Sequence, residues 1–99
     1  LDGDIYMESR KRILIIVKGL VQGVYFRYFT REAAMKIGVN GWVRNLSNGD
    51  VEIEAQGTED KLDLFLEQVR KGPQLSRVES TDVTELPLLE NENGFVIKY

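Results

Sequence analysis

The chain has 99 residues, 42% of them apolar and 29% charged, and its formal net charge is −3. That length suits one domain with one core, and the composition argues against disorder. The mixed, slightly acidic charge argues against a nucleic-acid or anionic-membrane partner. Cysteine and histidine are both absent, which excludes disulfides and thiol nucleophiles and removes the usual zinc ligand and general base.

No apolar stretch is long enough to span a bilayer and no signal-peptide pattern opens the chain, so a cytoplasmic location and no membrane partner are expected. Residues 1–9 read as an N-terminal extension. Met7 is a candidate natural start, which would make residues 1–6 a cloning remnant. Residues 10–99 are expected to form the domain.

"KRILIIVK" (residues 11–18) is β-branched and almost continuously apolar, which predicts a strand with neighbours on both sides. "GLVQGVYFR" (19–27) follows as a loop bracketed by two glycines, with a lone arginine at its far edge. Phe26, Phe29, Thr30, Ala33 and Ile37 then recur at helical spacing, and Gly38 is a C-terminal stop.

Between two strand-like runs, Asn48-Gly49 predicts a hairpin with a type I′ turn. Its second arm places Val51, Ile53 and Ala55 on a buried face and Glu52, Glu54 and Gln56 on a wet one. A second amphipathic helix spans 58–73, with Thr58 as cap, Glu59 and Asp60 in its first turn, Arg70 and Lys71 in its last, and Gly72-Pro73 as its stop. "SRVESTDVTEL" (76–86) and "GFVIKY" (94–99) read as strands. The order is βαββαβ with a short extra C-terminal strand. It predicts a ferredoxin-like α+β two-layer sandwich, with two helices on one face of an antiparallel sheet.

A glycine-flanked turn into a helix start aims unpaired N–H groups at one point, and the helix dipole adds positive potential there. The amides of Gln22, Gly23, Val24, Tyr25 and Phe26 are candidates to cradle a phosphate-sized anion. Arg27 would add a planar fork of donors. Taken alone, the stretch is better read as an ordinary turn followed by a solvated arginine, since short glycine patterns are weak evidence.

Two motifs together go further. "GLVQGVYFR" resembles the acylphosphatase signature G-x-V-Q-G-V-x-F-R at every fixed position. "GWVRNLSNGDVEIEAQG" (41–57) resembles that family's second signature, Gly-Trp-Val-x-Asn, three residues, Gly, one residue, Val, five residues and Gly. The resemblance covers the chain from about Arg10 onward. It implies a small metal-free, cofactor-free enzyme that hydrolyses acyl phosphates, with Arg27 as the phosphate-binding catalytic arginine and Asn45 as the catalytic asparagine. A monomer acting on a small molecule is expected. The runner-up is a non-enzymatic module of the same fold that binds an anionic metabolite or a protein.

Other features are set aside. Trp42 is expected to pack on the sheet, and Glu52 and Glu54 are expected to be solvated surface. "VYFRYF" lacks the RNP1 pattern of RNA-binding strands. Nothing functional is expected of the tail "NENGFVIKY", which lies outside both signatures.

Overall fold

The computed structural model describes residues 9–99; the Met7 start and the rest of the extension up to residue 8 lie outside the described residues. The elements are β1 (Arg10–Leu20), α1 (Phe26–Ile37), β2 (Asn40–Asn45), β3 (Val51–Thr58), α2 (Glu59–Lys71), β4 (Arg77–Leu86) and β5 (Phe95–Ile97). The strands form one sheet in the order β4-β1-β3-β2-β5. This is the ferredoxin-like α+β sandwich that the pattern predicts.

β1 pairs antiparallel with β3 and β4, and β2 pairs antiparallel with β3. β1 and β2 therefore point the same way and finish at one end of the sheet. β5 adds a parallel edge to β2, so the sheet is mixed rather than wholly antiparallel. The direction follows from the path of the chain. β4 ends opposite the start of β1, and the return segment brings the chain to the start of β2.

The core lies between the helices and one sheet face. β1 contributes Ile13, Ile15 and Val17, β2 contributes Val43, and β3 contributes Val51, Ile53 and Ala55. α2 buries Leu62, Phe65 and Val69, and the Phe65 ring meets Phe95 of β5 at 5.8 Å. Burying side chains of this size contributes about 1.5–3 kcal/mol each. α1 buries Phe26, Thr30 and Ala34. Ala33, expected on that stripe, packs only at its margin. Among the described residues no helix is long and apolar enough to cross a membrane.

Two local expectations change. The hairpin does not use a type I′ turn, because Gly49 is left-handed (φ 97°) and Asn48 is not. Gly49 N–H donates to Leu46 O at 3.2 Å, and Leu46 N–H donates to Asp50 O at 2.9 Å. This is a three-residue loop closed by a glycine bulge, a common alternative that needs only one positive φ. Gly19 belongs to β1 rather than to the loop. The register shifts between Lys18 and Gly19, and a Cβ at Gly19 would run into Arg77 O. Only glycine permits that approach.

The second sheet face is not uniformly wet. Arg12 is 1% exposed and Gln56 is 5% exposed. Arg12 Nε donates to Glu54 Oε1 at 2.8 Å, and its two terminal nitrogens donate to the Glu92 carboxylate at 2.8 and 3.2 Å. Gln56 Nε2 donates to Leu89 O, and Leu89 N–H donates back to Gln56 Oε1. The return segment between β4 and β5 thus covers the end of the face where β1 begins. Burial opposes the Arg12 charge, but the hydrogen bonds to Glu92 and then Glu54 outweigh it and hold its pKa above the ordinary value. Trp42 packs on this face, half-buried, with Lys98 Nζ 4.3 Å and the Arg44 guanidinium 5.4 Å from its ring.

Candidate active site

At the end of the sheet where β1 and β2 finish, the chain leaves Leu20 and enters α1 through a short loop. Gly23 (φ 73°) and Tyr25 (φ 64°) are both left-handed there. For a tyrosine that conformation costs about 1–2 kcal/mol, and such strain gathers at functional positions. Tyr25 is the N-cap of α1, and its side chain makes no capping hydrogen bond. Among the described residues, no backbone acceptor takes a hydrogen bond from the N–H groups of Gln22, Gly23, Val24 or Tyr25. The first turn of α1 carries no acidic residue. Of this loop, Gly23 and Tyr25 line one cavity, together with Phe26 at the start of α1.

That cavity has a volume of about 410 Å³ and is lined by Val21, Gly23, Tyr25, Phe26, Arg27, Tyr28, Asn45, Ile97 and Tyr99. Arg27 supplies the one charged side chain among these residues. Asn45 ends β2 and reaches the cavity from the sheet side. Its Oδ1 is buried and has no hydrogen-bond partner among the described residues. A buried acceptor left unpaired is costly, on the order of 1–3 kcal/mol, and calls for a donor supplied from outside the fold.

The structure therefore brings Gly23, Tyr25, Phe26, Arg27 and Asn45 to one cavity. Gln22 and Val24 do not line it. Gln22 turns its side chain to the hairpin, where Nε2 donates to Leu46 O at 2.7 Å and to Asp50 O at 2.8 Å. This fastens the loop that leads into α1 and Arg27 to the turn that follows Asn45. Val24 packs against the core and anchors the middle of the loop.

Ile97 and Tyr99 were not expected in the cavity. Val43 pairs with Ile97 across the parallel β2–β5 edge, and Lys98 N–H donates to Val43 O at 2.8 Å. The same register carries Tyr99 level with Asn45. The Arg27 guanidinium lies 4.7 Å from the Tyr99 ring centre. The parallel edge is the one signal that would place the tail here, and neither signature contains it. Among the described residues no cluster of three or more metal-ligating side chains occurs.

Fold and cavity together define a ferredoxin-like domain with an arginine-lined cavity at a loop–helix junction. The acylphosphatase family model matches residues 13–97. The acylphosphatase of Clostridium beijerinckii is 46% identical over 88 residues, spanning 89% of this chain and 98% of that protein. The crystal structure of Bacillus subtilis acylphosphatase superposes with a TM-score of 0.86 at 45% identity, covering 90% of this chain and 99% of that one. A phosphate- and nucleotide-bound full-length HypF superposes with a TM-score of 0.81 at 26% identity, over 94% of this chain but only 12% of HypF. The chain belongs to the acylphosphatase family.

Proposed function

We propose that this protein is an acylphosphatase that hydrolyses acyl phosphates to a carboxylate and inorganic phosphate without a metal or cofactor. The observation that carries this reading is that Arg27 and the unpaired buried oxygen of Asn45 line one cavity with Gly23 and Tyr25, whose N–H groups have no backbone acceptor among the described residues.

An acyl phosphate is a mixed anhydride whose carboxylate leaves readily, so the protein need not supply a nucleophile. It must hold the phosphoryl group, offset its charge and place a water in line with the leaving oxygen. Arg27 and the loop amides do the first two tasks, with the guanidinium offering two parallel N–H donors to phosphate oxygens. Asn45 does the third. Its Oδ1 accepts a hydrogen bond from the attacking water and turns that water's lone pair toward phosphorus.

In the step itself, the water oxygen forms a bond to phosphorus and the bond from phosphorus to the acyl oxygen breaks. The acyl carboxylate departs with the electron pair, and the water's proton passes to a phosphate oxygen. A carboxamide is too weak a base to take that proton at neutral pH, so Asn45 steers rather than deprotonates. The chain contains no histidine to do otherwise.

The reading includes a monomeric state and a cytoplasmic location. No nucleic-acid partner is included, since Glu52, Glu54 and Asp82 share the open sheet face with Trp42 and Arg44. The test is a turnover assay with benzoyl phosphate in EDTA, run beside a titration with inorganic phosphate. Hydrolysis with competitive inhibition by phosphate is expected. Phosphate binding without hydrolysis would overturn the enzyme in favour of a binding module.

A further inference from the structure

The cavity is larger than a phosphoryl group needs, and the surplus has a character of its own. Around its mouth stand three tyrosines, Tyr25, Tyr28 and Tyr99, which are 81%, 53% and 98% exposed. Large aromatic surface left open around one cavity marks a place where a ligand covers it. Two of these rings are backed by cations. Arg27 lies 4.7 Å from the Tyr99 ring centre, and Arg31 lies 5.2 Å from that of Tyr28. Tyr25 is held outward by its left-handed backbone at a cost the loop would avoid with glycine or asparagine.

Position 25 falls on a variable place of the first signature, and Tyr28 and Tyr99 lie outside both. The motif residues Gly23, Phe26, Arg27 and Asn45 are the ones the proposed function assigns to the phosphoryl group and its water, whereas none of the three rings occupies a fixed motif position. We infer that Tyr25, Tyr28 and Tyr99 form an acyl subsite that selects acyl phosphates with a flat aromatic acyl group over small polar ones. This rests on the acylphosphatase reading and specifies its substrate class. Rings stack on a planar acyl group and exclude water from it. A small polar acyl group gains little from them. The acyl side offers it phenol hydroxyls but no buried polar partner beyond Asn45, which the water occupies.

The experiment compares kcat/KM for benzoyl phosphate and acetyl phosphate in the full chain, reading the ratio of the two. In Tyr99→Leu the ratio is expected to fall roughly 3- to 10-fold, the scale of one lost aromatic contact, with the loss carried by KM. Tyr28→Leu is expected to lower the ratio to a similar extent, and Tyr99→Phe to preserve it. An unchanged or increased ratio in Tyr99→Leu overturns the subsite. Equal losses on both substrates would show the ring acting only through Arg27, and also overturn it. Wild-type protein that turns over neither compound overturns the activity and the subsite together. Measurable activity with an unaltered ratio overturns the subsite alone.

Discussion

The two helices of this domain are nearly equal in length, lie side by side on the same sheet face, and end alike. Gly38 N–H donates to Ala34 O at the end of α1, and Gly72 N–H donates to Gln68 O at the end of α2. Their beginnings differ. α2 starts at Thr58, whose Oγ1 accepts from Lys61 N–H, and Glu59 and Asp60 sit in its first turn. α1 starts at a left-handed tyrosine with no side-chain cap and no acid. One helix satisfies its N-terminus from its own sequence; the other leaves its donors and positive potential open toward Arg27 and Asn45. An anion bound at α1, as the proposed function requires, would take the place of the cap that Thr58 supplies to α2.

The largest effect is expected from removing the cation at that open end. Arg27→Ala should lower kcat/KM for benzoyl phosphate by about 10²–10³, the scale of deleting one preorganised donor to developing charge. Arg27→Lys should fail almost as badly, because a point charge cannot reproduce two parallel donors. Full activity in either variant would remove Arg27 from the chemistry. Asn45→Ala comes next. A fall in kcat of about 10² is expected, with phosphate still binding; a rise in the phosphate dissociation constant at unchanged kcat would make Asn45 a binding residue instead.

A third change makes α1 resemble α2. Tyr28→Glu puts an acid in the first turn of α1, where the dipole favours it by about 0.3–1 kcal/mol. The new carboxylate also pairs with Arg31 one turn on. Thermal stability should therefore hold or rise slightly. Activity should drop about tenfold or more, since a negative charge near the phosphoryl site repels the substrate at an effective dielectric of about 20. Stability and activity moving together would contradict the contrast between the two helices.

The local half of this contrast was readable in the sequence. Thr58, Glu59, Asp60 and the closing Gly72 announce α2, and the apolar run of β1 with the alternation of β3 fixes the sheet. Arg27 and Asn45 were legible only through their motifs, because an arginine after a loop and an asparagine before a turn each have ordinary local uses. What stayed hidden depends on contacts distant in sequence. Arg12 meets Glu92 across 80 positions, so the tail segment covering the far end of the sheet was invisible to pattern. Tyr99 reaches the cavity only because β5 runs parallel to β2. The hairpin misreading has a smaller cause, since Asn-Gly is compatible with both turn types and the choice lies in how the strands close around it.

At the closed end, Thr58→Ala should cost about 0.5–1 kcal/mol, near the low end for a lost cap because its hydrogen bond is long at 3.4 Å. Turnover should stay at the wild-type level, as α2 begins at the far end of the sheet from the cavity. A thermal melt and a benzoyl phosphate assay on one preparation check both parts. A matching loss of activity would mean that the two helix ends are coupled.

The smallest effect concerns the seam beside the open end. Lys18 Nζ donates to Asp50 Oδ2 at 2.8 Å, tying the close of β1 to the hairpin that Gln22 also grips. The hydrogen bond to Asp50, followed by the attraction of its charge, holds the Lys18 ammonium above its ordinary pKa of 10.5. Folding thus favours the charged form, so the contribution is fully present below that value and fades as pH rises through the higher folded one. Melting wild-type protein beside Lys18→Gln should give a small difference that is constant from pH 7 to 10 and shrinks only above about pH 10.5. A difference that instead vanished between pH 6 and 8 would need a titrating partner that a chain without histidine does not offer at this seam. Unlike Arg27, which makes no ion pair among the described residues, Lys18 has its charge answered by Asp50, which is why removing it should be felt in the melt far more than in the assay.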